Sequence, residues 1–362
     1  MENLEQWLEE EFSTPSPDKN IENKQIKEKQ DSTDFGLVLP TINPENLSSI
    51  EKEMFDTIVK TDQIAWEKGE GIQSNFEFLN EKLCGIQPGF AVLAAASNTG
   101  KSSFLLNIAY GCTISDNVYS LYFSLDDSPW DLIPRIIASN KKIPINAIRI
   151  PEKYKEYESV MKKREEGIQE FYKSLDRFKI LGMSDAVHLE QIEKQVERHY
   201  QYCQENNKKF FVAIDGFHDI QSQQNFRGTN EKYIYISKEI NRISEEYQIP
   251  IWCTGKLKKM NYTKIRPDKN DLKYANEIEY TAKLILCLYN EVGEKGSNAG
   301  VYYTNEEKPG KQPVLEVRFA KNKLSSFKGN LYYEFLTDYA CFSEAPEQDC
   351  EFYDDMIGSE EN

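Results

Sequence analysis

Histidine is scarce here, with three in 362 residues, and no CxxC pair occurs among the seven scattered cysteines. Structural zinc sites draw their ligands from close pairs, so this pattern argues against one. Several cysteines, such as Cys253 in Ile251-Trp252-Cys253, sit in apolar stretches and read as buried free thiols of a reducing cytoplasm. No apolar run approaches the roughly 20 residues that a membrane helix needs, so no membrane partner is expected. Met1 to Phe12 is acidic and lacks the basic-then-apolar order of a signal peptide.

A surplus of basic charge is also missing: the formal net charge is −16. Its placement matters more than its size. Residues 1–71 carry 17 acidic and 7 basic residues, and residues 344–362 carry eight acidic and no basic ones, which leaves +2 for residues 72–343. Acidic ends therefore do not argue against a central region that binds nucleic acid.

Hydrophobic residues make up 39% of the chain, with 21 Tyr and 19 Phe, enough for one large core plus extensions. Residues 13–35 are polar, charged and nearly free of large aliphatics, and 1–45 as a whole reads as an acidic, disordered region. Within 46–70, Leu47, Ile50, Met54, Ile58, Ile64 and Trp66 recur at helical spacing behind Pro44. This predicts an amphipathic helix that packs on its own core or on a neighbouring subunit.

From Gly71 onward, apolar strands alternate with helices. Strands are expected at 90–96, 118–124, 210–214, 250–254, 284–289, 315–320 and 331–335. Helices are expected at 102–110, 130–139, 189–203 and 231–247, with a charged helical excursion over 152–176. Fully apolar strands alternating with helices point to an α/β fold with a mostly parallel sheet covered on both faces. Residues 344–362 interleave acids and aromatics, as in Glu351-Phe352-Tyr353-Asp354-Asp355, and read as a disordered tail that docks on a partner or merely solubilises the chain.

The strongest local signal is Ala95-Ala96-Ser97-Asn98-Thr99-Gly100-Lys101-Ser102-Ser103, between an apolar strand and an apolar helix. In that setting backbone amides cradle phosphates, the lysine reaches the β and γ phosphates, and the Ser102 hydroxyl holds Mg²⁺. Ala95 stands where the strict phosphate-loop pattern has glycine. ATP with Mg²⁺ is the implied ligand. A second acid is expected at another strand's end; Asp215, after Phe210-Phe211-Val212-Ala213-Ile214, fits a Mg²⁺-holding role or a plain turn cap. Asp126, after Phe123-Ser124-Leu125, is the candidate general base for water attack. Asp127 reads as a helix cap before Ser128-Pro129. The densest basic patch is Lys256, Lys258 and Lys259 with Lys264 and Arg266, lining a channel or subunit boundary, or simply a solvated loop. His188 and His199 are given no chemistry.

Taken in order, these motifs resemble the motor domain of DnaB-type replicative helicases, over about residues 71–342. The resemblance runs through Gly71-Ile72-Gln73-Ser74-Asn75-Phe76, Gly85-Ile86-Gln87-Pro88-Gly89, the phosphate loop, Phe123-Ser124-Leu125-Asp126, Ile214-Asp215-Gly216-Phe217-His218, Arg266-Pro267, Asp271-Leu272-Lys273, Glu277-Ile278-Glu279 and Phe319-Ala320-Lys321-Asn322-Lys323. It implies a RecA-like core over 71–343 and a ring, most simply a hexamer, around single-stranded DNA. Lys321 and Lys323 would reach a neighbour's γ phosphate. Lys273, Tyr274 and Asn276 would grip the DNA backbone, helped by Lys258 and Lys259, and residues 46–70 would be the linker helix. Acidic ends could recruit a primase, polymerase or loader. The N-terminal domain of the cellular helicases is not seen, as in a short phage or plasmid version working in a bacterial host's cytoplasm. Four positions depart from the family: Asp126 replaces Glu, Lys323 replaces Arg, His218 replaces a Gln that senses the γ phosphate, and Lys256 stands at a polar sensor position. Slow hydrolysis, or none, follows as an expectation, since a misplacement of about 1 Å can cost about 100-fold in rate. The competing readings are another RecA- or KaiC-type ATPase, and a helicase-derived nucleotide-binding scaffold.

Overall fold

A computed structural model describes residues 48–68, 71–115, 117–258, 266–305 and 308–361. The predicted disordered region 1–45 and Lys259 lie outside these residues.

The N-terminal unit contributes helix α1 (Ser49–Lys68). It opens on a reciprocal cap: the Ser48 Oγ and backbone N–H both donate to the Glu51 carboxylate, at 2.6 and 2.9 Å. That Ser-x-x-Glu pairing satisfies amide donors that the first turn leaves free. Ile50, Met54 and Ile58 recur every four residues and are exposed.

The larger unit is one sheet with helices on both faces. Its strands are β1 (Gly89–Ala95), β2 (Val118–Ser124), β3 (Phe178–Gly182), β4 (Lys209–Asp215), β5 (Pro250–Lys256), β6 (Leu284–Tyr289), β7 (Tyr302–Asn305), β8 (Lys308–Asn322), β9 (Asn330–Leu336) and β10 (Cys341–Glu344). The order is β10-β9-β8-β6-β1-β5-β4-β2-β3, with β7 pairing β8 off this path. Strands β3 through β6 on that path are parallel, and β8, β9 and β10 extend the sheet antiparallel beyond β6. The helices that position the site are α2 (Glu77–Leu83), α3 (Lys101–Gly111), α4 (Pro129–Lys141), α5 (Ile145–Arg149), α6 (Glu158–Lys173), α7 (Leu189–Glu205), α8 (Thr229–Tyr247), α9 (Ala275–Thr281), α10 (Glu291–Lys295) and α11 (Glu347–Glu361).

Strand alternation divides the core into two layers. In β1, Ala91, Leu93 and Ala95 face Phe104, Leu105 and Ile108 of α3, while Phe90, Val92 and Ala94 face Ile236, Ile240 and Ile243 of α8. Both faces are buried, which is why these strands read as unbroken apolar runs.

Three elements differ from expectation. Strand β3 is hidden in the sequence because it is only five residues long and Lys179 interrupts its apolar pattern. Strand β8 is longer than residues 315–320 because its polar start, Lys308–Gln312, pairs with β7. The C-terminal segment is not a disordered tail: α11 buries Tyr353 and Ile357 against Val301, Val314 and Tyr332. Tyr353 and Ile357 are spaced by four and so share one helical face, while Glu351 and Asp355 are exposed and Asp354 accepts from the Tyr332 hydroxyl. Of the cysteines, five are buried, Cys350 is half-buried and Cys84 is exposed; none forms a disulfide. Among the described residues no helix is long and apolar enough to cross a membrane, and no cluster of metal-binding side chains occurs.

Candidate nucleotide site and flanking loops

Strand β1 ends at Ala95 and the chain turns through Asn98 and Gly100, both with positive φ (63° and 104°). A side chain at Gly100 would meet the Phe335 ring at 3.0 Å, so glycine serves both conformation and space there. Helix α3 then starts at Lys101 with no side-chain cap. Between Ser97 and Ser103 no backbone amide finds an acceptor among the described residues. Uncapped amides at a helix N-terminus form a ready anion cradle. Ser97 and Asn98 are exposed, Thr99 is buried, and Lys101, Ser102 and Ser103 are half-buried.

Asp215 closes β4 beside this loop. Its Oδ1 accepts from Ser102 Oγ at 3.1 Å and from Thr254 Oγ1 at 2.7 Å. The Thr254 hydroxyl in turn accepts from the Gly216 amide at 2.8 Å. Asp215 Oδ2 is buried without a hydrogen-bond partner. Burial pushes the Asp215 carboxyl above its usual range, opposed by Thr254, Ser102, the Lys101 charge and the neighbouring Tyr122 hydroxyl. A buried carboxylate oxygen without a donor is costly unless a cation or its hydration shell fills the gap. Ser102 and Asp215 therefore fit the two protein groups that hold Mg²⁺ on a bound triphosphate, and the free loop amides fit the phosphates.

Asp126 lies on the bend after β2, level with Asp215 through the Ser124–Asp215 register and the Leu125 amide on the Asp215 carbonyl (2.9 Å). It is exposed and has no partner among the described residues. Asp127 is not a helix cap. It pairs with Arg135 Nη1 at 2.6 Å, and Ser128 takes the N-cap position of α4.

The side chain of His218 is buried and both ring nitrogens are engaged. The Lys256 amide donates to Nδ1 (3.1 Å), so the proton sits on Nε2, which faces the Lys273 carbonyl at 3.1 Å. Burial holds its pKa down at about 4. Lys256 Nζ is paired with Asp219 at 2.8 Å.

Residues 256–258 pair antiparallel with 271–273, through Lys273 N to Lys256 O (3.0 Å) and Lys258 N to Asp271 O (2.8 Å). Lys258, Lys273 and Asn276 are exposed, and Lys258 Nζ bonds the Asn270 carbonyl. Tyr274 is packed rather than presented, its ring 4.5 Å from Tyr233 and 5.9 Å from His218. Arg266 does not belong to a solvent-facing basic patch. It is 5% exposed, with its guanidinium forked onto Glu316 (2.6 and 3.1 Å) and touching Glu291 (3.2 Å).

Lys321 and Lys323 stand at the other end of the sheet. Lys321 is level with Ile285 in β6, and the Lys323 amide bonds the Lys283 carbonyl just before that strand. Since β6 runs parallel to β1, this is the amino-terminal edge, opposite the phosphate loop. Lys321 Nζ donates to the Glu279 carbonyl, and Lys323 is exposed. Sequence reasoning missed Thr254, whose only signal was a hydroxyl inside an apolar strand, and the Tyr233–Tyr274 packing.

A phosphate cradle after the first parallel strand, with a hydroxyl and a buried acid facing it, defines a P-loop nucleotide-binding protein of RecA-like architecture. The family model of the DnaB-like helicase C terminal domain matches residues 71–344, and the chain belongs to that family. It is 22% identical over 309 residues to the replicative DNA helicase DnaB of Haemophilus influenzae, covering 84% of this chain and 62% of that protein. The chain thus spans less than two thirds of that relative's length. Among solved structures it is similar to the ATPase domain of G40P (TM-score 0.67, 20% identity, covering 83% of this chain and 100% of that one). It is equally similar to a DnaB-like replicative helicase whose structure was described with its interactions with primase (TM-score 0.67, 20% identity, covering 83% and 68%).

Proposed function

We propose that this chain is the motor of a ring-forming replicative DNA helicase, which hydrolyses ATP to move along single-stranded DNA. The observation that carries this reading is the pairing of unclaimed loop amides at Ser97–Ser103 with the Ser102–Asp215 contact and its orphaned Oδ2. The loop amides and Lys101 would bind the triphosphate; Ser102 and Asp215 would hold Mg²⁺, which neutralises charge on the phosphates when bound. Asp126 would orient and deprotonate the attacking water. Lys321 and Lys323 sit at the edge opposite their own loop, so the phosphates they serve would be those of an adjacent copy, as a closed ring requires. Lys273, Asn276 and Lys258 would contact DNA phosphates without reading sequence. A bacterial host's cytoplasm is the natural setting. A primase, polymerase or loader would meet the acidic outer face of α11 or the acidic N-terminal region.

A second reading, a nucleotide-binding scaffold with little turnover, is favoured by one feature: Asp126 is short, exposed and unsupported. ATPase rates with and without single-stranded DNA, forked-duplex unwinding and negative-stain imaging separate the two. The motor reading expects DNA-stimulated turnover, strand separation and rings, with turnover and unwinding lost in Lys101→Ala. Bound ATP that is never hydrolysed on any DNA would sink it.

A further inference from the structure

Tyr280, in the last turn of α9, is 87% exposed. Its side chain makes no hydrogen bond or ring contact among the described residues. One exposed ring is ordinary on a protein surface; here the surroundings carry the argument. The carbonyl of the preceding residue, Glu279, holds the Lys321 ammonium, and its carboxylate pairs with Lys269. Lys323 is exposed beside the same strand start. Desolvation and the Lys323 charge press the Lys321 ammonium toward its neutral form against the pull of the Glu279 carboxylate, so the cations at this edge outnumber the one anion beside them.

The register sets this edge apart from the chain's own phosphate loop. This edge carries Leu284, which pairs with Ala91, and Lys283, whose amide bonds the Phe90 carbonyl. The chain's own phosphate loop leaves β1 at the other end, after Ala95. A flat aromatic face beside two cations complements a flat base joined to a polyphosphate. We propose that Tyr280 stacks on the nucleobase of the ATP bound by an adjacent copy, so that one copy supplies the phosphate loop and the next supplies the ring. This inference rests on the ring-forming reading given above.

The test uses the full chain with Tyr280→Ala and Tyr280→Phe. ATP hydrolysis is followed at saturating oligothymidylate, oligothymidylate affinity by fluorescence anisotropy, and assembly by sedimentation with a nonhydrolysable ATP analogue. The expected result is a rise of about 10-fold in KM for ATP in Tyr280→Ala, the size of one stacking contact. Tyr280→Phe stays within about twofold, because the ring face is kept, and oligothymidylate affinity and assembly are unchanged. An unchanged KM in Tyr280→Ala overturns the proposal. So does a loss confined to oligothymidylate affinity, which would make Tyr280 a DNA-stacking residue, or a loss of assembly, which would make it a packing residue. Failure of the underlying reading looks different: the unsubstituted chain stays monomeric with nucleotide, or Lys323→Ala leaves turnover untouched.

Discussion

The Nε2–H of His218 donates to the carbonyl of Lys273, at 3.1 Å, and so ties the end of the strand that carries Asp215 to the loop read as the DNA contact. The other nitrogen takes the Lys256 amide, so a neutral imidazole acts as a strut between the two loops. This ring has no nitrogen left to sense a phosphate without first releasing one of those bonds. His218→Ala should therefore lower DNA stimulation of ATPase activity more than basal ATPase activity, by about 10-fold against about twofold, the scale expected for losing one buried hydrogen-bonded link. Equal losses in both rates would refute the strut.

The same residue gives a pH dependence. With a folded pKa of about 4 against 6.5 for a free imidazole, the native state disfavours the proton. The stability this contributes is fully present above pH 6.5 and is lost as pH falls from 6.5 toward 4, because only the unfolded chain takes up the proton in that window. His199, stacked on Tyr119 and also held down at about 4 by burial, acts in the same direction. Urea unfolding at pH 7 and pH 5 should show the unsubstituted chain losing about 1–2 kcal/mol more than His218→Gln, which cannot titrate. A matching loss in both proteins would be incompatible with a buried neutral His218.

Asp126 faces solvent with no partner, on a bend whose position is set by the Leu125 amide bond to Asp215. Lengthening it by one methylene extends the reach of the carboxylate from the bend without disturbing a contact among the described residues. Asp126→Glu should raise kcat several-fold, and Asp126→Ala should lower it by about 100-fold with little change in KM, as for loss of a general base. If Asp126→Ala turns over like the unsubstituted chain, the base lies elsewhere.

What the sequence made legible follows from where the signal was local. The phosphate loop needs only a strand, a short turn and a helix in succession, so Ala95 to Ser103 could be placed without a structure. Strands buried on both faces, such as 118–124 and 284–289, announce themselves as apolar runs. Contacts between distant segments leave no such trace: Thr254 meets Asp215 across 39 residues and Arg266 meets Glu316 across 50. Arg266 looked like part of a basic patch because its charge is visible in the sequence and its buried partners are not. The C-terminal acids suggested disorder because their number hid two apolar residues four apart.

The Arg266 guanidinium is closed off with Glu316 and the fully buried Glu291. Lys295 and the Val301 amide complete the coordination of Glu291. Removing only the guanidinium takes the forked cation from Glu316 and one of two cations from Glu291, so Arg266→Met should cost about 3–5 kcal/mol in urea unfolding. Adding Glu316→Gln to that variant should recover part of the loss, since the buried charge that the guanidinium faced goes with it. A cost under about 0.5 kcal/mol, the range of ordinary surface substitutions, would contradict the buried network.

The terminal helix offers the clearest contrast between neighbouring residues. Tyr353 is 3% exposed, lies against Tyr332 and donates from its hydroxyl to the Tyr302 carbonyl at 3.1 Å; Phe352, one position earlier, is 55% exposed. Tyr353→Ala should destabilise the domain by about 3 kcal/mol, from lost aromatic burial and a lost hydrogen bond. Phe352→Ala should change stability by less than about 0.5 kcal/mol. Because α11 packs on β7, β8 and β9 rather than on the phosphate loop, Tyr353→Ala should leave KM for ATP unchanged at temperatures where the domain is folded. Equal behaviour of the two variants in thermal unfolding would mean that this acidic segment is a free tail after all.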